Sequence, residues 1–434
     1  MVIKMNGFEI RWAEESDRPA IISAIRDTYH GDDEYAKMAE FFTSPLHAYA
    51  RPETACIAVD KTNGKVAGVE ITVPMTWLYE GISLKTNLLL LTGTPPEYRG
   101  QKVMNLIHDY LGRYFIENKY DLSFVDGIPW YYRRHGYYPL PLLPDMTDYD
   151  RFTLPDGNEK INNYIFRPLE KKDLSFTVEL LSNKAKDMLY SFTYDEKWVR
   201  MFGLDYYEEV RDLSTVVCDL NHEPLGVIFG YTKNCNGQML VLDFVLKHGV
   251  SYLDATPAVM EFLAREGDKQ MGVEGGCKHI TMPYDVNTQE VLYDCMSRTH
   301  YANKRQCRLT DAALFIKKIA PVLEKRIEES PIYGYTKKVG LQLFGHDKDL
   351  YIIFDKGKIV ETLWEKANFV SNSLDIQMPY EKFIRLLFGV DMIDELRHEH
   401  REVNTHNGER LSNEMRLLLK VLFPKKLSYI MHSC

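Results

Sequence analysis

The stretch Pro96-Glu97-Tyr98-Arg99-Gly100-Gln101-Lys102-Val103-Met104-Asn105-Leu106-Ile107 holds the residues best placed to bind an anion. It follows the apolar run Leu88 to Leu91, which reads as a buried strand. A strand that turns through Pro and Gly into a helix leaves the first backbone N–H groups of that helix unpaired. They aim at whatever sits above the turn, and a phosphate group suits them. Val103, Ile107, Tyr110, Leu111 and Tyr114 fall on one face at the 3.6-residue period and predict the helix.

The surrounding elements form a weak internal repeat. Arg11, Glu14 and Asp17 are spaced three apart between a short strand and a helix, and Arg167, Glu170 and Asp173 repeat that spacing in the same setting. Each copy then offers a hairpin, Ala55–Val59 with Val66–Val73 and Thr215–Leu220 with Leu225–Tyr231, followed by a long strand and a helix. Two domains of one fold in tandem are the simplest account. The second copy runs Lys247-His248-Gly249-Val250-Ser251-Tyr252 at the equivalent turn, without the Arg-Gly pattern, so only the first copy is expected to bind a cofactor.

From about Leu309 the pattern changes. A helix over 311–328 precedes strands over 338–344, 349–355 and 358–363, and Pro379 opens a further amphipathic helix carrying Phe383, Leu386 and Leu387. These boundaries predict domains at 1–155, 156–305 and 306–434.

Arg99-Gly100-Gln101-Lys102-Val103-Met104 resembles the Q/R-x-x-G-x-G/A signature of the GNAT acyltransferases, which hold the pyrophosphate of acetyl-CoA at this turn. Lys102 stands where that family has its central Gly, and Met104 where it has Gly or Ala. A lysine Cβ can crowd the approach to a pyrophosphate, although main-chain donors are retained and an ammonium beside phosphate is favourable. Trp130-Tyr131-Tyr132-Arg133-Arg134-His135-Gly136-Tyr137 resembles the family's Y-x-x-x-G-[FY] segment, with Tyr132, Gly136 and Tyr137 at the defined positions. The domain order resembles the Eis-type enzymes, with Phe383 to Gly389 and Leu422 to Lys426 as pieces of a sterol-carrier-protein-like domain.

The resemblance implies an α/β (α+β) fold, two tandem GNAT domains and a sterol-carrier-like third. It further implies acetyl-CoA as co-substrate, an amine acceptor such as an aminoglycoside, polyamine or lysine side chain, and a homo-oligomer, often hexameric. Acetyl transfer needs a proton for the departing thiolate, and the family's Tyr, here Tyr132, is the implied general acid. The terminal carboxylate, here that of Cys434, is the implied base, with His135 and His432 as alternatives. Arg99, Gly100, Gln101, Lys102, Val103, Met104 and Asn105 would hold the pyrophosphate. Thr92, Gly93, Thr94, Gly127 and Ile128 would line the pantetheine arm where the fourth and fifth strands part.

Composition bounds these readings. With 434 residues, 45% hydrophobic and 26% charged, the chain is of globular type and long enough for about three domains. No apolar run has the length of a membrane span and the N-terminus lacks a signal-peptide core, which predicts a cytoplasmic protein without a membrane partner. A net charge of −9 disfavours nucleic acid and suits a cationic substrate, although solubility alone explains it. Seven cysteines without a C-x-x-C pair read as reduced thiols. His398-Glu399-His400 with His406 reads as a solvated loop in preference to a metal site. Two rival functions remain: a non-catalytic acyl-CoA- or lipid-binding protein, and a tandem-GNAT aminoacyl transferase using charged tRNA.

Overall fold

The computed structural model describes residues 3–5, 7–140, 145–205, 213–234, 237–300, 305–366, 374–404, 411–428 and 430. They divide into two compact units. The first is Met1–Leu142, Met188–Ser191 and Lys304–Ser428, and the second is Leu143–Asp187, Phe192–Asn303 and Tyr429–Cys434.

The main sheet of the first unit runs, in spatial order, Ile3–Met5, Phe8–Trp12, Ala55–Asp60, Val66–Tyr79, Ile82–Gly93, Leu122–Val125, Arg305–Leu309 and Tyr138–Leu140, with Tyr190–Phe192 pairing on Val66–Tyr79. Val66–Tyr79 and Ile82–Gly93 are longer than their apolar runs suggest because they close in a two-residue turn. Glu80 and Gly81 both take positive φ there, which matches the twist of the paired strands. The helix Val103–Glu117 buries Val103, Ile107, Tyr110, Leu111 and Phe115 against Phe8, Ile10, Ala58, Ala67 and Leu89. It can do so because Gly68 has no side chain: a Cβ there would stand 2.6 Å from Val103 Cγ1.

The second unit holds a seven-stranded sheet ordered Met296–His300, Met146–Asp150, His279–Pro283, Gln238–Leu246, Pro224–Asn234, Leu213–Cys218 and Ile165–Pro168. The predicted repeat is visible as a matched ionic lock. Arg11 meets Asp17 at 2.6 Å while Asp17 accepts from the Glu14 amide, and Arg167 meets Asp173 at 2.6 Å while Asp173 accepts from the Glu170 amide.

The bounds of the two compact units differ from the domains expected to break at 155 and 305, because two strands lie on the other side of those bounds. Arg305–Leu309 lies antiparallel between Leu122–Val125 and Tyr138–Leu140 in the first sheet. Met146–Asp150 lies antiparallel between His279–Pro283 and Met296–His300 in the second. The first sheet thus takes a strand from beyond the second unit's stretch, whereas Met146–Asp150 opens the second unit's own stretch.

The C-terminal part groups with the first unit. Its four-stranded sheet, Lys358–Lys366, Lys348–Asp355, Lys337–Phe344 and Ile376–Pro379, carries the helices Ala312–Glu328 and Tyr380–Leu387. The Tyr79 hydroxyl donates to the Leu387 carbonyl at 2.8 Å, and its ring packs edge-on to Phe315 and Phe388. His398 and Glu399 end the helix Ile393–Glu399 instead of lying in a loop, and His406 falls outside the described residues. Among the described residues no helix is long and apolar enough to cross a membrane.

His47 supplies a pH-dependent term in this unit. Its Nδ1 accepts from the Tyr49 and Ala50 amides at 3.1 and 2.8 Å, and burial, reinforced by Arg51, pushes the imidazole down to about 3. Below the ordinary histidine value of about 6.5 the unfolded chain takes up a proton that the folded chain refuses. This histidine therefore removes about 1.4 kcal/mol of stability per pH unit as pH falls from about 6.5 to about 3. His47→Asn keeps an acceptor but does not titrate, so its melting temperature should fall less steeply than that of the wild type between neutral and acid pH. Parallel profiles would remove His47 from the acid response.

Candidate active site

The turn before Val103–Glu117 is built from Pro95 and a single 3-10 turn, Pro96–Tyr98, followed by extended Arg99. Gly100 has φ +80°, and a Cβ there would meet nothing, so glycine serves the backbone conformation alone. Lys102, in place of the signature's central glycine, takes the left-handed conformation that glycine would take, with φ 60° and ψ 24°. The sequence departs from the motif while the backbone keeps to it. An L-residue there is strained by about 1–2 kcal/mol, offset in a glycine variant by the extra entropy of the unfolded chain. Lys102→Gly should accordingly fold with equal or up to about 1 kcal/mol greater stability, and Lys102→Val should lose about 1 kcal/mol or more. Denaturant midpoints measure both, and a large loss in the glycine variant would show that the lysine side chain holds the turn.

No side chain caps the start of this helix. Arg99 is committed elsewhere, donating to the Thr28 and Thr94 carbonyls at 2.7 and 3.3 Å. The exposed Gln101, Lys102 and Asn105 surround the free N–H groups. In the second unit the equivalent helix, Tyr252–Met271, is capped by its own Ser251, whose Oγ accepts from the Asp254 amide. Only the first helix start is left open for a ligand among these two.

Beside that start two strands part. Ile82–Gly93 pairs in parallel with Leu122–Val125 as far as Leu89 opposite Val125, then runs on to Gly93 paired only with Val66–Tyr79 on its other side, with a positive φ of 42° at Leu91. Thr92, Gly93 and Thr94 edge one side of the opening, and Gly127 and Ile128 the other.

Tyr132 closes the short helix Pro129–Tyr132 and is 5% exposed. Its ring lies so close to Gly127 that a Cβ at that residue would be 2.3 Å from Cε2. Its hydroxyl is 2.8 Å from Thr92 Oγ1, and Thr92 Oγ1 is in turn 3.0 and 2.8 Å from the two carboxylate oxygens of Glu70. The Thr92 carbonyl accepts from Tyr29 at 3.1 Å. Burial raises Tyr132 far above the usual phenol range, with Glu70 adding to the shift.

Sequence reasoning missed Glu70 and His108. Glu70 is wholly buried in mid-strand opposite Thr92, and burial raises its carboxyl well above the ordinary range. His108, one turn into the helix, stands 3.7 Å from Glu70, and burial, reinforced by His135 and Arg308, pushes it down to about 3. Burial disfavours the charged form of both partners. His135, an expected alternative base, lies half-buried with its ring 4.7 Å from His108. Cys434 and His432 lie outside the described residues. The signal for Glu70 was a lone carboxylate in the apolar run Val69-Glu70-Ile71.

The arrangement is a line of two hydroxyls ending at a buried carboxyl. Thr92 Oγ1 donates to the Glu70 carboxyl and shares a hydrogen bond with the Tyr132 hydroxyl, so the three groups form one continuous line beside the parted strands.

Residues 9–140 match the family model described as an acetyltransferase (GNAT) domain, which makes the chain an acyltransferase by its first domain. The fold of the whole chain is shared with solved structures of that kind. A GCN5-related N-acetyltransferase from Anabaena variabilis has a TM-score of 0.66 at 13% identity, over 98% of this chain and 99% of that one. A conserved protein of unknown function from Enterococcus faecalis, described as a probable N-acyltransferase, has 0.69 at 10%, over 99% and 100%. Eis1 from Mycobacterium abscessus has 0.61 at 11%, over 98% and 99%. At these identities the likeness is one of fold. No curated protein sequence matches the chain significantly.

Proposed function

We propose that the chain is an acetyl-CoA-dependent N-acetyltransferase of Eis-like architecture, with the second unit a GNAT repeat that has no cofactor turn and the C-terminal part a sterol-carrier-like domain. The observation that carries this reading is the uncapped helix start lying beside parted strands, with the Tyr132–Thr92–Glu70 line at the parting. Gly100 to Asn105 would hold the pyrophosphate on main-chain N–H groups, and Thr92 to Thr94 with Gly127 and Ile128 would flank the pantetheine arm. Acetyl-CoA would supply a thioester carbonyl open to direct attack by a neutral amine: the C–N bond forms, the C–S bond breaks, and the proton shed by the amine nitrogen leaves to water.

Tyr132 gives its proton to the departing sulfur and is refilled through Thr92 from Glu70. His108 adjoins Glu70, with His135 beyond it, and offers the route by which Glu70 regains a proton. The acceptor is a primary amine of the aminoglycoside, polyamine or lysine type, and the working form is a homo-oligomer. Calorimetry with acetyl-CoA, followed by thiol release with a panel of those amines, tests the reading. Saturable binding with amine-dependent thiol release is expected, and no binding at millimolar acetyl-CoA would sink it.

A further inference from the structure

Beside the far half of the helix Val103–Glu117, within the first unit, lies a cavity of about 880 Å³. Its walls come from that helix, the turn Arg133–Gly136, the strand Arg305–Leu309 and the turn Gly345–Lys348. Its lining begins at His108, five residues or about 7.5 Å along the helix axis beyond Val103, and no residue of the turn at Gly100 to Asn105 belongs to it.

Arg308 is the group this cavity is built around. It is half-buried and has no hydrogen-bond or ion-pair partner among the described residues. Its side chain passes two glycines on its way from the sheet. A Cβ at Gly112 would lie 2.9 Å from Nη1, and one at Gly136 would lie 3.8 Å from Cδ. A half-buried guanidinium given clearance but no counter-charge is poised for an external anion.

The rest of the lining agrees in sign. Arg133 is already paired with Glu381, and Asp311 already accepts from the Leu314 amide and the Trp364 indole. With Arg133 set against Glu381, Arg308, Arg113, Arg134 and Lys348 face Asp109, Asp311 and Asp347, an excess of one positive charge. Burial lowers His108, His135 and His346, so the cavity's histidines add hydrogen-bonding groups without charge. On one wall His346 stacks on Trp364 with ring centres 5.1 Å apart, a flat surface for an organic moiety.

We propose that this cavity binds a small organic phosphate, with its dianionic phosphoryl group held by Arg308 and flanked by Arg134 and Lys348. The unpaired guanidinium, with its planar bidentate fork, suits the oxygens of a phosphomonoester. The phosphoryl group can belong to a separate metabolite or to the 3′-phosphate of coenzyme A.

Titration of the full chain with glycerol 2-phosphate tests the assignment. One-to-one binding is expected, weakened roughly tenfold or more in Arg308→Gln and about threefold in Lys348→Gln. Melting curves establish that each variant is folded. Should Arg308→Gln not fold, the exposed pair Arg134→Gln and Lys348→Gln carries the test. Displacement of the phosphate by coenzyme A but not by dephospho-coenzyme A would assign the site to the nucleotide's own phosphate, and indifference to both would assign it to a separate ligand. Absence of binding at millimolar concentration, or binding unchanged in the folded variants, overturns the proposal.

Discussion

Tyr132→Phe is expected to lower kcat by roughly 10²-fold or more while leaving acetyl-CoA binding nearly unchanged. The variant keeps the ring that fills the space over Gly127 and packs against Tyr137 and His108, so the local fold survives. It loses the one hydroxyl that joins Thr92 to the opening between the strands. Thiol release measures the turnover and calorimetry the binding. Full turnover in the variant would take Tyr132 out of the mechanism, and lost binding would mean that the hydroxyl serves the cofactor and not the proton.

The second large effect belongs to Glu70. Glu70→Gln preserves size and can still donate an N–H to Thr92, but it has no proton to pass on. A loss of about tenfold to 10²-fold in kcat follows, with little change in either KM. The pH profiles should also part. The wild type loses activity as pH rises through the elevated value of Glu70, whereas the variant's residual rate lacks that alkaline limb.

Stability moves in the opposite sense. A carboxyl whose folded value lies above its unfolded value stabilises fully only below the ordinary carboxyl range, and that contribution fades as pH rises toward the folded value. Glu70→Gln should therefore match the wild type in acid and melt higher at neutral and alkaline pH. A variant that is slower yet more stable is a signature that simple damage does not give. Equal turnover and parallel pH profiles would remove Glu70 from the relay.

Much of this site was legible before any coordinates. The helix over Val103–Glu117 followed from its apolar period, and Leu122–Val125 is the strand its apolar residues predicted. Tyr132 stood out through its Gly four residues on. The repeat of Arg, Glu and Asp proved to be a pair of identical locks, because three-residue spacing around a 3-10 turn is a local device. What escaped was non-local. Glu70 gains its meaning from a register that sets it opposite Thr92 and from a helix that brings His108 over it, and neither is encoded in neighbouring residues. Lys102 was misleading in the other direction. The side chain broke the motif while the dihedral angles kept it, and sequence shows only the former.

The same limit hid where two strands belong. Met146–Asp150 and Arg305–Leu309 are short and rich in polar residues, with nothing in their composition to say which sheet they complete. Their placement bears on how the protein is made. During synthesis the first sheet must wait, with the edges of Leu122–Val125 and Tyr138–Leu140 unpaired, until Arg305–Leu309 has left the ribosome. At about 5–20 residues per second that delay is on the order of ten seconds. Through that interval an open sheet edge is available to any passing strand, so the nascent chain depends on chaperone cover or on rapid completion more than its modest length would suggest.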